Sequence, residues 1–244
     1  MSEKLEIYPI RNSMLNDAID RVLVKLHAEK KNNNTNSFLF TGASANGGTT
    51  TVAINIAIAL AEAGWKTVFV DCDFRKSQKY KRVVEAKGAS LSEYLTGLVS
   101  DYKSTIKSTN VNNLDYVLSG EKNDNPVRLL CNSHFESFFN YLKSKYDFVI
   151  LDTPPVSAAN DAEILIPLID KYLFVVCMND TKKRQLVNSR IQLANYEDKF
   201  MGIIVNRVEK IQYKDEFKDY DYFTKNNLQK KQAMGIRRKA VEEK

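Results

Sequence analysis

Three short segments carry residues able to hold phosphate and a divalent cation. The first is Gly42-Ala-Ser-Ala-Asn-Gly-Gly48-Thr49-Thr50-Thr51. A glycine-containing turn between an apolar strand and a helix offers backbone N–H groups and a helix N-terminus to an anion. The full phosphate-loop pattern GxxxxGK[ST] adds a lysine for the outer phosphates and a hydroxyl for Mg²⁺. Laid on this stretch the pattern fits in two registers, with either Gly48 or Thr49 at the lysine position, and neither supplies a lysine. The second segment, Val68-Phe-Val-Asp71-Cys-Asp73-Phe-Arg75, sets an acid pair at the end of an apolar run. The third, Tyr146-Asp-Phe-Val-Ile-Leu-Asp152-Thr-Pro-Pro155, ends another apolar run in an acid followed by a proline turn. One acid after one strand is usually a cap, and a glycine turn alone can simply join strand to helix. Three such segments in this order are far more specific.

The surrounding pattern supplies the elements that must position them. Apolar runs at Phe38–Thr41, Thr67–Asp71, Leu114–Leu118, Phe148–Asp152, Tyr172–Cys177 and Gly202–Asn206 read as strands. Between them lie helical patterns: Thr49–Ala63, a short helix opened by the Ser90/Glu93 capping box and stopped at Gly97, a second capping box at Ser133/Glu136, and segments near Ala162–Ile169 and Lys183–Tyr196. An amphipathic helix over Met14–Lys30 precedes them, broken by the asparagine run Asn32–Asn36. Nearly continuous apolar strands alternating with amphipathic helices imply an α/β fold with a mostly parallel sheet covered on both faces. In such sheets the working site lies beyond the carboxyl ends of the strands, where the glycine loop, Asp71 and Asp152 would meet. The chain then divides into an N-terminal helix and linker (1–36), a phosphate-loop domain (37–208) and a charged tail (209–244).

These segments resemble the bacterial tyrosine kinase family of capsule and exopolysaccharide synthesis, within the P-loop superfamily that includes the ParA and MinD ATPases. Asp71-Cys-Asp73-Phe-Arg75 matches that family's DxDxR segment, and Asp152-Thr-Pro-Pro155 its DTPP segment. Leu91-Ser-Glu-Tyr-Leu-Thr-Gly97, Asn125-Pro126, Asp161-Ala162 and Gly202-Ile-Ile-Val-Asn206 match as well, and the likeness runs from about Ser13 to Val208. Asn55-Ile56-Ala57 resembles the family's NLA segment and favours the register in which Thr49 replaces the lysine.

The resemblance implies ATP and Mg²⁺ as cofactors. Asn46, Gly47, Gly48, Thr49, Thr50 and Thr51 would hold the phosphates and Asn206 would contact the adenine. Thr50, Asp71 and Asp152 would complete the Mg²⁺ shell, and Asp71 or Asp73 would orient or deprotonate a tyrosine hydroxyl. Tyr213, Tyr220 and Tyr222 would be the phosphoacceptor candidates. Partners would be a membrane adaptor that regulates polysaccharide chain length, which would hold a cytoplasmic chain at the inner face of the plasma membrane.

Departures from the family pattern matter as much. Thr49 is neutral and short; the second, signature lysine of the partitioning ATPases is replaced by Ser44. Arg75 and Lys76 are the nearby cations that could substitute. The family's EX₂RX₂R helix pattern, which joins subunits into a ring, aligns with Asp17, Asp20 and Leu23. The expectation is a degenerate kinase that regulates the assembly machinery with little or no phosphoryl transfer. The alternative is an active autokinase using its own C-terminal tyrosines. A partitioning-type ATPase needs the same missing lysine, and a dinucleotide binder lacks GxGxxG after its first strand.

Composition agrees with a folded domain, at 43% apolar and 27% charged residues over 244. The longest apolar run, Ala53–Ala63, is interrupted by Asn55 and Glu62, so no membrane span is expected. Met1–Ile10 carries acids and no apolar core, so no signal peptide is expected either. Cys72, Cys131 and Cys177 stand far apart, as free thiols of a reducing compartment would. Of the net charge of +6, +4 falls in Lys230–Lys244, a stretch suited to a solvated tail or to anionic lipid. No aromatic-interleaved basic patch points to nucleic acid.

Overall fold

The structure, a computed structural model, describes residues 4–10, 12–75, 83–84, 88–209 and 211–213. Lys76, Tyr220, Tyr222 and the basic stretch 230–244 lie outside the described residues. Residues 1–206 form one unit and 207–244 a second.

In chain order the first unit contains β1 (Glu6–Ile7), α1 (Ser13–Asn33), β2 (Ser37–Gly42), α2 (Thr49–Glu62), β3 (Thr67–Asp71), β4 (Val83–Val84), α3 (Leu91–Leu95), β5 (Ile106–Ser108) and β6 (Leu114–Val117). It continues with α4 (Pro126–Leu130), α5 (Ser133–Lys145), β7 (Phe148–Asp152), α6 (Asp161–Leu165), β8 (Lys171–Cys177), α7 (Lys183–Gln192) and β9 (Phe200–Asn206). Among the described residues the main sheet has seven strands in the order β5-β6-β3-β7-β2-β8-β9. All pairings in it are parallel except β5 with β6.

Both faces of the sheet are covered, which is why its central strands read as unbroken apolar runs. Alternate residues of β3 and β7 enter opposite cores: Val68, Val70, Val149 and Leu151 pack with α5 and α6, while Phe69, Phe148 and Ile150 pack under α2. Helix α2 is buried nearly all round, and its Ala53, Ala57 and Ala61 admit close approach to the sheet. Its one interior polar group, Asn55, is held by donating to the Thr51 carbonyl at 2.7 Å and accepting from the Ile10 N–H at 3.1 Å.

Most expected elements are present, with informative differences at their ends. Helix α1 is capped by the Asn12 side chain, which accepts from Leu15 N–H at 2.8 Å, and ends where Asn34 turns left-handed at φ 54°. The capping box at Ser90 is formed, with Glu93 accepting from the Ser90 N–H at 2.7 Å. The second expected box is not: Asn132, one residue earlier than Ser133, caps α5 by accepting from the His134 N–H at 3.0 Å. The last two expected helices are shorter than their patterns, ending at Leu165 and Gln192.

Asp170, just before β8, fastens the opposite end of the sheet from the glycine loop. One oxygen accepts from the Asn36 N–H at 2.9 Å, the Ser37 N–H at 3.0 Å and the Ser37 hydroxyl at 2.8 Å; the other accepts from Lys143 Nζ at 2.6 Å. Burial pushes this carboxyl up, but the bonds from Lys143, Asn36 and Ser37 outweigh it and hold it below the ordinary range. A depressed folded-state pKa contributes stability that is complete well above an unfolded value of about 3.9 and is lost as pH falls through the folded value. Urea unfolding from pH 7 to pH 3 is therefore expected to show falling stability on the acid side. Asp170→Asn should flatten that limb; an unchanged limb would mean the network adds nothing pH-dependent.

Candidate phosphate-binding site

The glycine loop, Asp71 and Asp152 do meet at the carboxyl ends of β2, β3 and β7. Strand β7 lies between β3 and β2, with Asp71 opposite Asp152 and Phe40 opposite Asp152 in the two ladders. Adjacent strands run about 4.8 Å apart, so two carboxylates stand side by side, an arrangement that favours a shared cation. Backbone bonds lock the register there: Cys72 N–H donates to the Asp152 carbonyl at 2.9 Å and Thr153 N–H to the Phe40 carbonyl at 3.1 Å. The proline turn after Asp152 is stitched to β2 by the Val156 N–H on the Gly42 carbonyl at 2.9 Å and by the Thr41 hydroxyl on the Pro154 carbonyl at 2.9 Å.

The backbone adopts the register that the Asn55-Ile56-Ala57 resemblance favours. Gly48 is the N-cap of α2 and is left-handed at φ 83°, so the helix starts at Thr49. Thr50 then donates its hydroxyl to Asp152 Oδ2 at 2.5 Å. A glycine turning into the helix, followed by one residue and then a hydroxyl on the β7 acid, is the GK[ST] order with Thr49 in the lysine place. Thr49 Oγ1 lies back over β2, 3.0 Å from where a Cβ on Gly42 would be. Asn46 is also left-handed at φ 61°, and with Gly47 and Gly48 it curls the loop over the first turn of α2, where Thr50 and Thr51 sit.

Asp71 is oriented from two sides. Its Oδ1 accepts from the Asp73 N–H at 3.0 Å and its Oδ2 from the Ser119 hydroxyl at 3.2 Å. Asp73 is buried and accepts from the Arg75 N–H at 3.2 Å. The thiol of Cys72 between them is fully buried; burial pushes it well above its ordinary range, and the carboxylates of Asp71, Asp152, Asp161 and Asp73 push the same way. It is therefore a neutral core side chain and no nucleophile.

Of the two nearby cations that could replace the lysine, Arg75 is committed elsewhere. Arg75 grips Asp161 with both prongs of its guanidinium, Nε to Oδ2 at 2.9 Å and an Nη to Oδ1 at 2.7 Å, and Asp161 has no exposed surface. At the signature-lysine position Ser44 bonds the Thr181 hydroxyl at 2.9 Å. Asn206, at the end of β9, reaches the loop and donates from Nδ2 to the Gly47 carbonyl at 2.9 Å. Of the tyrosines, Tyr213 lies in a helical turn of the second unit, its N–H on the Glu209 carbonyl at 2.9 Å.

Oxygen donors from Thr50, Asp71 and Asp152 suit Mg²⁺, which is bound through one or two carboxylates, waters and substrate phosphates. Among the described residues no group of three or more His, Cys, Asp or Glu side chains forms a metal cage, and that mode of binding needs none.

An AAA domain model matches residues 43–167, which is half of the chain. The tyrosine-protein kinase CpsD of Streptococcus pneumoniae serotype 4 is 33% identical over 165 residues, covering 66% of this chain and 71% of that protein. The chain belongs to the bacterial tyrosine kinase family. Among solved structures, the chimerical protein CapA2B2 superposes with a TM-score of 0.73 at 26% identity, over 84% of this chain and 93% of that one. The Pyrococcus horikoshii septum site-determining protein MinD, solved with Mg-ADP, shares the fold at a TM-score of 0.58 and 19% identity, over 74% of this chain and 76% of its own.

Three features of this family member escape sequence reading. Ser119 and Thr181 belong to no motif, and only the strand order brings them to Asp71 and Ser44. The Arg75–Asp161 pair was visible as two separate matches, in the DxDxR and Asp161-Ala162 segments, without a sign that they touch. No helix among the described residues is long and apolar enough to cross a membrane.

Proposed function

We propose that this chain is a degenerate bacterial tyrosine kinase of capsular or exopolysaccharide biosynthesis. It keeps a pocket for Mg·ATP and regulates the assembly machinery with little or no phosphoryl transfer. The observation that carries the reading is the start of α2 directly after left-handed Gly48, which sets Thr49 where the lysine belongs. A threonine side chain cannot reach a terminal phosphate. Losing that charge-assisted bond costs about 1.5–3 kcal/mol of binding. Losing a donor aimed at developing charge costs roughly 10²–10³ in rate. Arg75 is no substitute, since leaving would strand a buried carboxylate.

In the pocket, the first-turn N–H groups of α2 and the loop would hold phosphate oxygens, and Thr50, Asp71 and Asp152 would hold Mg²⁺. Mg²⁺ held by these residues would supply neutralising charge to the phosphates. Asp73, fixed beside Asp71, would orient an incoming hydroxyl. The MinD structure, which carries Mg-ADP on the same fold, is consistent with a nucleotide here. The family implies a membrane adaptor that holds the chain at the inner face of the plasma membrane, with the basic stretch 230–244 adding attraction to anionic lipid.

The competing reading is an active autokinase phosphorylating its own C-terminal tyrosines. The formed Thr50–Asp152 contact at 2.5 Å favours it, because the metal side of the site is intact. Phosphoryl transfer depends mostly on positioning and electrostatics, so metal and helix dipole alone can supply part of it. The deciding measurement is intact mass of the purified chain after incubation with Mg·ATP and the cytoplasmic segment of its adaptor. Addition of no phosphate, with ATP bound, is the expected result. Phosphate gain that Asp152→Asn abolishes would replace the degenerate reading with the active one.

A further inference from the structure

We propose that Asn206 and Thr181 are positioning residues that brace the phosphate loop, so that Asn206 acts on the phosphate end of a nucleotide. Its binding consequence rests on the nucleotide-pocket reading; the brace itself does not.

The loop is moored from β8 and β9, away from Asp152. Thr181 accepts from the Cys177 N–H at 2.9 Å, which fixes its hydroxyl at the end of β8, and that hydroxyl bonds Ser44 at 2.9 Å. Ser44 is 8% exposed, so the bond is shielded from water. Asn206 is anchored by its own backbone, whose carbonyl accepts from the Met178 N–H at 2.9 Å. From there its amide donates to the Gly47 carbonyl at 2.9 Å. The contact is close: a Cβ on Gly48 would stand 2.3 Å from Asn206 Nδ2.

Peptide planarity converts this bond into control of a donor. In the trans Gly47–Gly48 unit the carbonyl and the Gly48 N–H point in opposite directions. Holding the carbonyl toward Asn206 therefore aims the Gly48 N–H away from β9. The loop needs such support, because Asn46, which is not a glycine, holds a left-handed φ of 61°, and conformations of this kind persist only where the surroundings over-determine them. Where related ATPases carry a signature lysine, this chain uses Ser44 as a mooring point.

Two measurements on the full chain test the brace. In hydrogen–deuterium exchange without nucleotide, Asn206→Ala and Thr181→Val are each expected to speed exchange of the amides at 44–50 by about fivefold, the worth of one neutral hydrogen bond. Exchange in β3 and β7 should stay unchanged, and Thr181→Ser should restore the natural rate. Unchanged loop exchange in both variants overturns the brace. In calorimetric titration with Mg²⁺, Asn206→Ala should weaken ATP, GTP and inorganic tripolyphosphate by the same factor. A loss confined to ATP assigns Asn206 to the adenine and overturns its action on the phosphate end. If the natural chain binds none of the three, the nucleotide reading and that action fall together, and the exchange experiment still decides the brace.

Discussion

Thr49→Lys is expected to raise phosphate transfer to tyrosine by about two to three orders of magnitude over the natural chain. Everything the lysine would work with is already placed. Gly48 delivers the chain into α2 with residue 49 as the first helical position, Thr50 sits on Asp152, and Asp71 stands beside it. A lysine in this first turn can fold back over the loop to the outer phosphates, where it neutralises charge as the bond to the leaving group breaks. Tighter ATP binding, by roughly tenfold or more, should accompany the rate gain. In the free protein the new cation lies at the positive end of the α2 dipole and should lower stability by about 0.3–1 kcal/mol. That opposite sign is a useful control, since a variant that gains both activity and stability would be acting by some other route. Thr49→Arg should recover much less, because the guanidinium fork is larger and directs its donors differently from a compact ammonium. Intact mass and a transfer time course read all three. If Thr49→Lys binds ATP more tightly but transfers nothing, the defect extends beyond the missing lysine, with Arg75 and Asp73 next in line.

Much of this site could be read before any coordinates, because its parts are local. An apolar run ending in an acid, a glycine turn ahead of a helix and a proline pair after a strand are patterns within ten residues of chain. The two glycines by themselves leave the register of the loop closed, since Gly47 and Gly48 are chemically identical in sequence. The Asn55-Ile56-Ala57 resemblance favours Thr49 in the lysine place, and the left-handed φ of Gly48 shows that it is the one that opens the helix. Strand order was equally closed: β3 and β2 flank β7, and it is this non-sequential pairing that brings Asp71 and Asp152 together. Contacts such as Ser119 on Asp71 and Thr181 on Ser44 join residues 48 and 137 positions apart with ordinary hydroxyls, which carry no pattern of their own. Strand β5 was missed because Ile106-Lys-Ser108 is too short and polar to alternate. Helix α4 carried a signal, a proline at its first position after Asn125, that went unused as a helix start. The misplaced cap at α5 shows the finest limit: Ser133 and Asn132 are both good caps, and one residue of phase decides between them.

Arg75→Ala is expected to destabilise the fold by about 3 kcal/mol, because it leaves Asp161 buried without its bidentate partner. Asp161 has no exposed surface, whereas the Arg75 side chain keeps 37% of its own, so the lower end of the range for broken buried pairs applies. The pair joins two parts of the site. Arg75 follows Asp71 and Asp73, and Asp161 opens α6 just beyond the proline turn after Asp152. Its strength thus bears on the spacing of the carboxylates as well as on stability. Arg75→Lys should recover only part of the loss, since one ammonium cannot satisfy both carboxylate oxygens in the same plane. Arg75→Met combined with Asp161→Leu should recover most of it, as apolar replacements of buried pairs commonly do. Urea unfolding gives the order of the four proteins directly. A drop of less than about 1 kcal/mol for Arg75→Ala would place the pair among weak surface bridges. It would also free Arg75 to leave Asp161 at little cost, and so reopen its case as the cation that stands in for the missing lysine.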